Sequence, residues 1–361
     1  MEDELFALQK ISTWEFVPLP AGKNLVGCKW VYNVKTYSDG SLERYKARLV
    51  AKGISQEYGI DYEETFAPVV KITTIRTLIS VTAVRAWPLY QMDVKNVFLN
   101  GYLTEKVYMR SPPGLHYSSG QVCRLLRALY RLKQSPRAWY DHFQTTVTEF
   151  GFHPCAQDSA LFLLYTSVGF VALLYVDDMI ITGFDFSAIS EVKQHLFRTF
   201  EMKDLGTLRY FLGIEVASSP KGYFLSQAKY TNKIIHRASL TDTKISDTPI
   251  ELNVKLNATD GVLLDDLTLY RELVGCLVYL TVTRPNLAYV IYVVCQFVSA
   301  PRSTHWAALV RILHYLRCTI FQDLLLSSTS SLDLVAYADS DWAGDVTDRK
   351  STFGFCMLAI P

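Results

Sequence analysis

Apolar and polar residues alternate along this chain in short blocks, and the period of each block predicts its element. Phe170–Gly183 reads FVALLYVDDMIITG, two apolar runs around Asp177 and Asp178. Runs of β-branched, aromatic and long apolar residues favour strands, so the stretch predicts a strand, a tight turn and a returning strand. Trp87–Leu99 (WPLYQMDVKNVFL) predicts another strand, which ends at a single acid, Asp93. Cys28–Val34 and Leu42–Lys52 predict two strands on either side of Asp39-Gly40, a hairpin signal. Ser159–Tyr165, Leu208–Val216, Gly222–Leu225 and Leu332–Ala343 predict strands as well, with Gly354–Leu358 a partner for the last. Val107–Gly114 predicts a strand closed by prolines.

Apolar residues at helical spacing predict helices over Lys71–Ala86, Arg124–Leu132, Ser135–Phe150, Ser187–Phe200 and Gln227–Ala238. Three more follow over Tyr270–Thr283, Leu287–Val298 and Thr304–Arg317. Ser135-Pro136 reads as a helix start with Ser as N-cap, and Gly151 as its stop. A strand ending at Asp93, two helices, a strand and the Asp177 hairpin together predict an α+β sheet of ferredoxin-like kind. Ser239–Leu269 is polar and carries acids, which marks it as a linker and the best domain boundary.

Composition narrows the classes. The 361 residues are half hydrophobic and 13% aromatic, enough for a sizeable core and for two or three domains. The net charge of +1 gives no global argument for nucleic acid, so any such contact rests on local patches. Seven scattered cysteines without a CxxC predict reduced, mostly buried thiols. Met1–Lys10 is acidic and lacks the apolar run of a secretory signal. Leu277–Phe297 is broken by Arg284-Pro285-Asn286, so no membrane span is expected.

The candidate chemistry lies in the acids. Isolated buried carboxylates are costly, so they pair, shift their pKa or bind a metal. Asp177 and Asp178 suit a solvated hairpin turn or a metal site, although hairpin turns prefer a glycine that is missing here. Two-metal phosphoryl transfer needs a further carboxylate, and Asp93 is the candidate. Arg44, Lys46 and Arg48 recur at period two and so share one strand face. That face suits phosphate binding or a charged edge that guards against aggregation. Lys229, Lys233 and Arg237 form a similar helical stripe, fit for a nucleic-acid backbone or for solvent. His142 has no partner at ligand spacing and reads as a packing or surface residue.

Tyr175-Val176-Asp177-Asp178 resembles the YVDD box of reverse transcriptases. QMDVKNVFLNG at Gln91–Gly101, LKQSPRAWY at Leu132–Tyr140 and YADSDWAGD at Tyr337–Asp345 resemble the copia-type retrotransposon Pol polyprotein, in the same order. The resemblance runs from about Thr13 to Met357. It implies an α+β fingers–palm–thumb core over 1–238, a linker over 239–269, a helical connection over 270–330 and a truncated ribonuclease H-like start over 331–361. It further implies RNA-directed DNA synthesis from dNTPs on a primed RNA or DNA template. Asp93, Asp177 and Asp178 would hold two Mg²⁺ ions, with Mn²⁺ as a substitute. Lys46 or Arg48 would touch the incoming nucleotide, and Phe98 would lie under the sugar and exclude a 2′-hydroxyl. The location implied is a cytoplasmic virus-like particle or the nucleus, and no membrane partner is implied. Protease, integrase, capsid and zinc-knuckle segments are not seen in the sequence.

Two positions depart from the family. Val97 stands where alanine is frequent, and Arg131 where glycine is usual. A glycine there implies a close approach or an unusual backbone angle, which arginine would strain or crowd. These departures keep open a catalytically inactive, truncated element copy that binds nucleic acid at most. Asp339 resembles the first metal-binding aspartate of ribonuclease H, without the later carboxylates that activity needs. A metal-dependent nuclease or phosphatase built on the same acids is a third reading.

Overall fold

The computed structural model describes residues 1–36, 41–115, 120–175, 178–240, 242–251, 256–344 and 349–359. In chain order the first elements are α1 (Glu2–Lys10), β1 (Trp14–Pro18), β2 (Cys28–Thr36), β3 (Leu42–Ala51), α2 (Ile72–Arg85), β4 (Leu89–Val94), β5 (Tyr108–Met109) and β6 (Gln121–Leu125). There follow α3 (Ser135–Glu149), β7 (His153–Cys155), β8 (Asp158–Tyr165), β9 (Phe170–Tyr175), β10 (Asp178–Gly183), α4 (Phe186–Thr199) and β11 (Met202–Thr207). The remainder is β12 (Tyr210–Phe211), β13 (Ile214–Ser219), β14 (Gly222–Ser226), α5 (Ala228–Arg237), α6 (Leu267–Leu280), α7 (Ala288–Cys295), α8 (Ser303–Cys318), β15 (Leu324–Ser327), β16 (Leu334–Ser340) and β17 (Phe353–Ala359). The chain divides into two compact units, Met1–Lys71 with Tyr90–Gly206, and Ile72–Leu89 with Thr207–Pro361.

The first unit is built on a six-stranded sheet in the order β11-β4-β10-β9-β8-β7. Antiparallel pairing sets Met179 opposite Tyr175 and Ile181 opposite Leu173, as the two apolar runs predict. Alternation sends Tyr175, Leu173, Met179 and Ile181 to one face. The aromatic stripe of α3 packs there: Phe143 is fully buried and stacks on Tyr175 at 5.0 Å between ring centroids. Pro136 lies in the first turn of α3, and Gly151 takes φ +112° beyond its end. The N-cap is Gln134 rather than Ser135, whose hydroxyl instead donates to the Leu129 carbonyl at 2.6 Å.

Two other small sheets complete this unit, β1-β6-β5 and the β2–β3 hairpin. The expected Asp39-Gly40 turn lies outside the described residues. The helix expected over Arg124–Leu132 is not formed. Gln121–Leu125 pairs with β1 from Trp14↔Leu125 to Pro18↔Gln121, and the chain beyond it is irregular. Backbone partners from β1 override the leucine spacing, and Arg131 at φ +68° is incompatible with a right-handed helix. The strand expected over Val107–Gly114 shortens to Tyr108–Met109, since Pro112 and Pro113 cannot donate to a ladder.

In the second unit β12-β13-β14-β15 form a sheet, and α5–α8 enclose an apolar core that includes Tyr270, Leu277, Val294, Leu309 and Leu316. Among the described residues the expected linker has no helix or strand before Leu267. It is nevertheless pinned to α8: Arg311 pairs with Glu251 at 2.8 Å and Arg317 donates to the Asp242 carbonyl at 2.6 Å. Two cations of the α5 stripe have carboxylate partners, Lys229 with Glu215 at 2.9 Å and Arg237 with Glu272 at 3.8 Å, whereas Lys233 is exposed. β16 and β17 pair antiparallel, with Asp339 opposite Gly354. No helix among the described residues is long and apolar enough to cross a membrane.

The buried His305 near the start of α8 gives this unit a pH dependence. Its Nδ1 accepts the Arg302 backbone N–H at 3.0 Å, its Nε2 lies 3.0 Å from the Asn257 carbonyl, and its ring stacks on Phe297. Burial, aided by the Arg302 charge and opposed by Asn257 and Asp260, holds its pKa below the ordinary value. The unfolded chain then binds the proton more readily. Stability is therefore complete above about pH 6.5 and falls, by at most about 1.4 kcal/mol per pH unit, as pH drops toward the folded pKa. Urea unfolding at pH 7.5, 6.5 and 5.5 checks this, and His305→Gln is expected to flatten that component.

Candidate active site

Three short segments of the first unit carry the residues of interest. On β4, Leu89, Gln91 and Asp93 share one face, opposite Tyr90, Met92 and Val94. On the neighbouring β10, Asp178 is the first residue and lies on the face opposite Met179. Gln91 Nε2 donates to Asp178 Oδ2 at 2.9 Å. Asp93 lies two residues along from Gln91 on β4, and Asp178 opens the adjacent β10; both are half-buried. Asp177 lies outside the described residues.

Beyond Asp93 the chain turns sharply. Asn96 takes φ +51°, and Val97–Asn100 form a single 3₁₀ turn that carries Phe98. The turn is seated on α3, where the Asn100 carbonyl lies 2.7 Å from His142 Nδ1. A Cβ on Gly101 would come within 2.7 Å of the Trp139 backbone nitrogen, so only glycine allows this approach. His142 also packs its ring against Tyr102 and Phe200, the structural role expected for it.

The basic face lies on β3, with Arg44, Lys46 and Arg48 paired opposite Lys35, Asn33 and Val31. Arg48 holds its guanidinium 4.8 Å from the centre of the Tyr130 ring, and Phe98 meets the same ring edge-on at 5.4 Å. Arg48 Nε is buried without a hydrogen-bond partner. Burial, and then repulsion by Arg48 and Arg44, lowers the Lys46 pKa. Glu4 on α1 is the counter-charge: burial raises its pKa while Lys46 and Arg48 pull it down. Burial likewise raises the Tyr130 pKa, with Arg48 opposing and the Asp93 charge adding a little.

The fold thus bonds Gln91, two residues before Asp93, to Asp178, and brings Arg48 to Phe98 through Tyr130. Lys46 shares the strand face but touches neither group of residues in a described bond. Gln91 and Tyr130 were missed in the sequence. A polar residue two places before Asp93 was the only available sign of Gln91, and nothing local marks Tyr130. Oxygen donors alone, as Asp93 and Asp178 supply, suit Mg²⁺ better than a softer metal. Among the described residues no group of three or more His, Cys, Asp or Glu side chains is placed to hold a metal ion.

Arg131 adopts the left-handed angle that the usual glycine implies, and its side chain is exposed. A non-glycine residue there costs about 1–2 kcal/mol, partly offset by the chain entropy that glycine loses on folding. Arg131→Gly is therefore expected to stabilise the fold by about 0.5–1 kcal/mol, read as a higher urea midpoint.

Comparison with known proteins fits this geometry. The family model described as reverse transcriptase (RNA-dependent DNA polymerase) matches residues 11–252. The chain is 44% identical over 349 residues to the retrovirus-related Pol polyprotein from transposon RE2 of Arabidopsis thaliana, covering 96% of this chain and 24% of that protein. It is 38% identical over 368 residues to the Pol polyprotein from transposon TNT 1-94 of Nicotiana tabacum, covering 98% and 28%. It is also 31% identical over 272 residues to a putative transposon Ty5-1 protein of Saccharomyces cerevisiae, covering 74% and 88%. The chain spans about a quarter of the length of the two plant polyproteins. The family model over two thirds of the sequence and these relatives together make the chain a member of the reverse transcriptase family, in its copia-type retrotransposon branch.

Proposed function

We propose that the chain catalyses RNA-directed DNA synthesis, in which a primer 3′-hydroxyl attacks the α-phosphorus of a dNTP and pyrophosphate leaves. The observation that carries this reading is the Gln91–Asp178 hydrogen bond, which ties β4, the strand that bears Asp93, to the start of β10. Asp93, Asp177 and Asp178 would hold two Mg²⁺ ions. Bound Mg²⁺ would lower the pKa of the primer hydroxyl and offset charge on the phosphoryl oxygens. Arg48 and Lys46 neutralise the triphosphate, and Phe98 excludes a 2′-hydroxyl from the sugar site. The place of the Arg48 guanidinium over Tyr130, the ring that Phe98 also meets, supports this role.

In this reading the first unit supplies fingers and palm, and β12–β14 with α5 supply the primer grip and thumb. The helices α6–α8 form the connection, and β16–β17, with Asp339, form the opening hairpin of a ribonuclease H-like domain. The partners are a primed RNA or DNA template and dNTPs. The site of action is a cytoplasmic particle or the nucleus.

Incorporation of dTTP on poly(rA)/oligo(dT) with Mg²⁺ tests the proposal. Template- and primer-dependent extension is expected. Phosphate release or strand cleavage that needs neither primer nor dNTP would instead mark a nuclease or phosphatase. A folded chain that binds the duplex without extending it would be an inactive element copy.

A further inference from the structure

The geometry points to Tyr130 as the residue that positions Phe98 and Arg48 together, and so sets the preference for deoxynucleotides. This rests on the polymerase reading above and adds a residue to it. Tyr130 directly precedes Arg131, the position where the family usually has glycine. Its ring is the common neighbour of both groups, with Phe98 edge-on at 82° and the Arg48 guanidinium over the ring.

A wedge positions its neighbours only if it cannot move, and the backbone under Tyr130 is fixed on three sides. The Tyr130 carbonyl accepts the Ala51 N–H at 3.0 Å, and the residue forms an isolated bridge to Val50 of β3. One residue earlier, the Leu129 carbonyl accepts the Ser135 hydroxyl at the start of α3. One residue later, the Arg131 carbonyl crosses Gly53 so closely that a Cβ there would lie 2.1 Å from it. Tyr130 is therefore tied to β3, which bears Arg48, and to α3, on which the Phe98 turn is seated.

Phe98 meets the ring at a T-shaped angle, a contact that any aromatic residue supplies, and Arg48 holds its guanidinium over the ring. Loss of the ring frees Phe98 to turn and opens space for a 2′-hydroxyl. Loss of the hydroxyl alone leaves both ring contacts and the gate in place.

The test is the ratio of kcat/KM for dTTP over UTP on poly(rA)/oligo(dT), for the wild-type chain, Tyr130→Phe, Tyr130→Leu and Tyr130→Ala. Tyr130→Leu keeps most of the buried bulk and guards against simple unfolding. The ratio is expected to fall about tenfold in the Leu and Ala variants, the effect of one lost aromatic edge contact, and to be kept in Tyr130→Phe. A wild-type chain that extends and discriminates, with an unchanged ratio in folded Tyr130→Leu and Tyr130→Ala, would overturn the inference and leave the polymerase reading intact. A wild-type chain that extends nothing would remove both.

Discussion

Asp93→Asn is expected to lower dNTP incorporation by about 10³-fold or more, with the fold retained. The substitution keeps the shape of the side chain and removes its charge. On the proposed reading that charge holds metal and offsets the negative phosphates, an interaction strongest in the transition state. Neither neighbour can replace it: Gln91 is uncharged, and Asp178 has one oxygen engaged by the Gln91 amide. Stability is expected to hold, because Asp93 is only half-buried and the amide keeps its shape. Single-turnover incorporation with saturating dTTP, beside a urea unfolding curve, reads both quantities. A variant that keeps a tenth or more of the wild-type rate would remove Asp93 from the chemistry.

Phe143→Ala is expected to destabilise the first unit by about 3–5 kcal/mol, the usual range for emptying a buried aromatic site. Phe143 is fully buried, and its ring lies 5.7 Å from Trp139, 5.7 Å from Phe162, 5.0 Å from Tyr175 and 6.4 Å from Phe200. These neighbours come from α3, β8, β9 and the end of α4, so no single one can move to fill the space. The damage also reaches the chemistry. Tyr175 is the last described residue before Asp177, and Phe143 is the ring stacked on it. Incorporation by the variant is therefore expected to fail at temperatures where its far-ultraviolet circular dichroism still reports helix. A loss under 1 kcal/mol in the urea curve would mean that α3 does not anchor this hairpin.

Much of this was open to the sequence. The β9–β10 hairpin and α3 were readable because their apolar period is strong and their ends carry Pro136 and Gly151. The acids stand out in the sequence because each interrupts an apolar run. What failed were features decided by distant partners. Leu125, Leu129 and Leu132 fit a helical spacing, yet Leu125 is claimed by Trp14 across a strand pair more than a hundred residues wide. The polar stretch 239–269 looked like a linker because its own residues are hydrophilic. Its order comes from arginines on α8 that no local window contains. Gln91 and Tyr130 went unread for the same reason: each matters only through what a fold of long reach places beside it.

The strand order of the main sheet has a consequence for synthesis of the protein. β4 lies between β10 and β11, and about a hundred residues separate it from β11. At a ribosomal rate of roughly 5–20 residues per second, β4 would wait on the order of 5–20 s for its second neighbour. Until β10 follows, both of its edges are open to other chains, and the edge toward β11 stays open for the rest of that interval. Any transcript interrupted before β10 yields Asp93 without Asp178, a product with half a site and an uncovered strand. Such products are candidates for chaperone capture or degradation, so on the proposed reading the acids would act together or not at all.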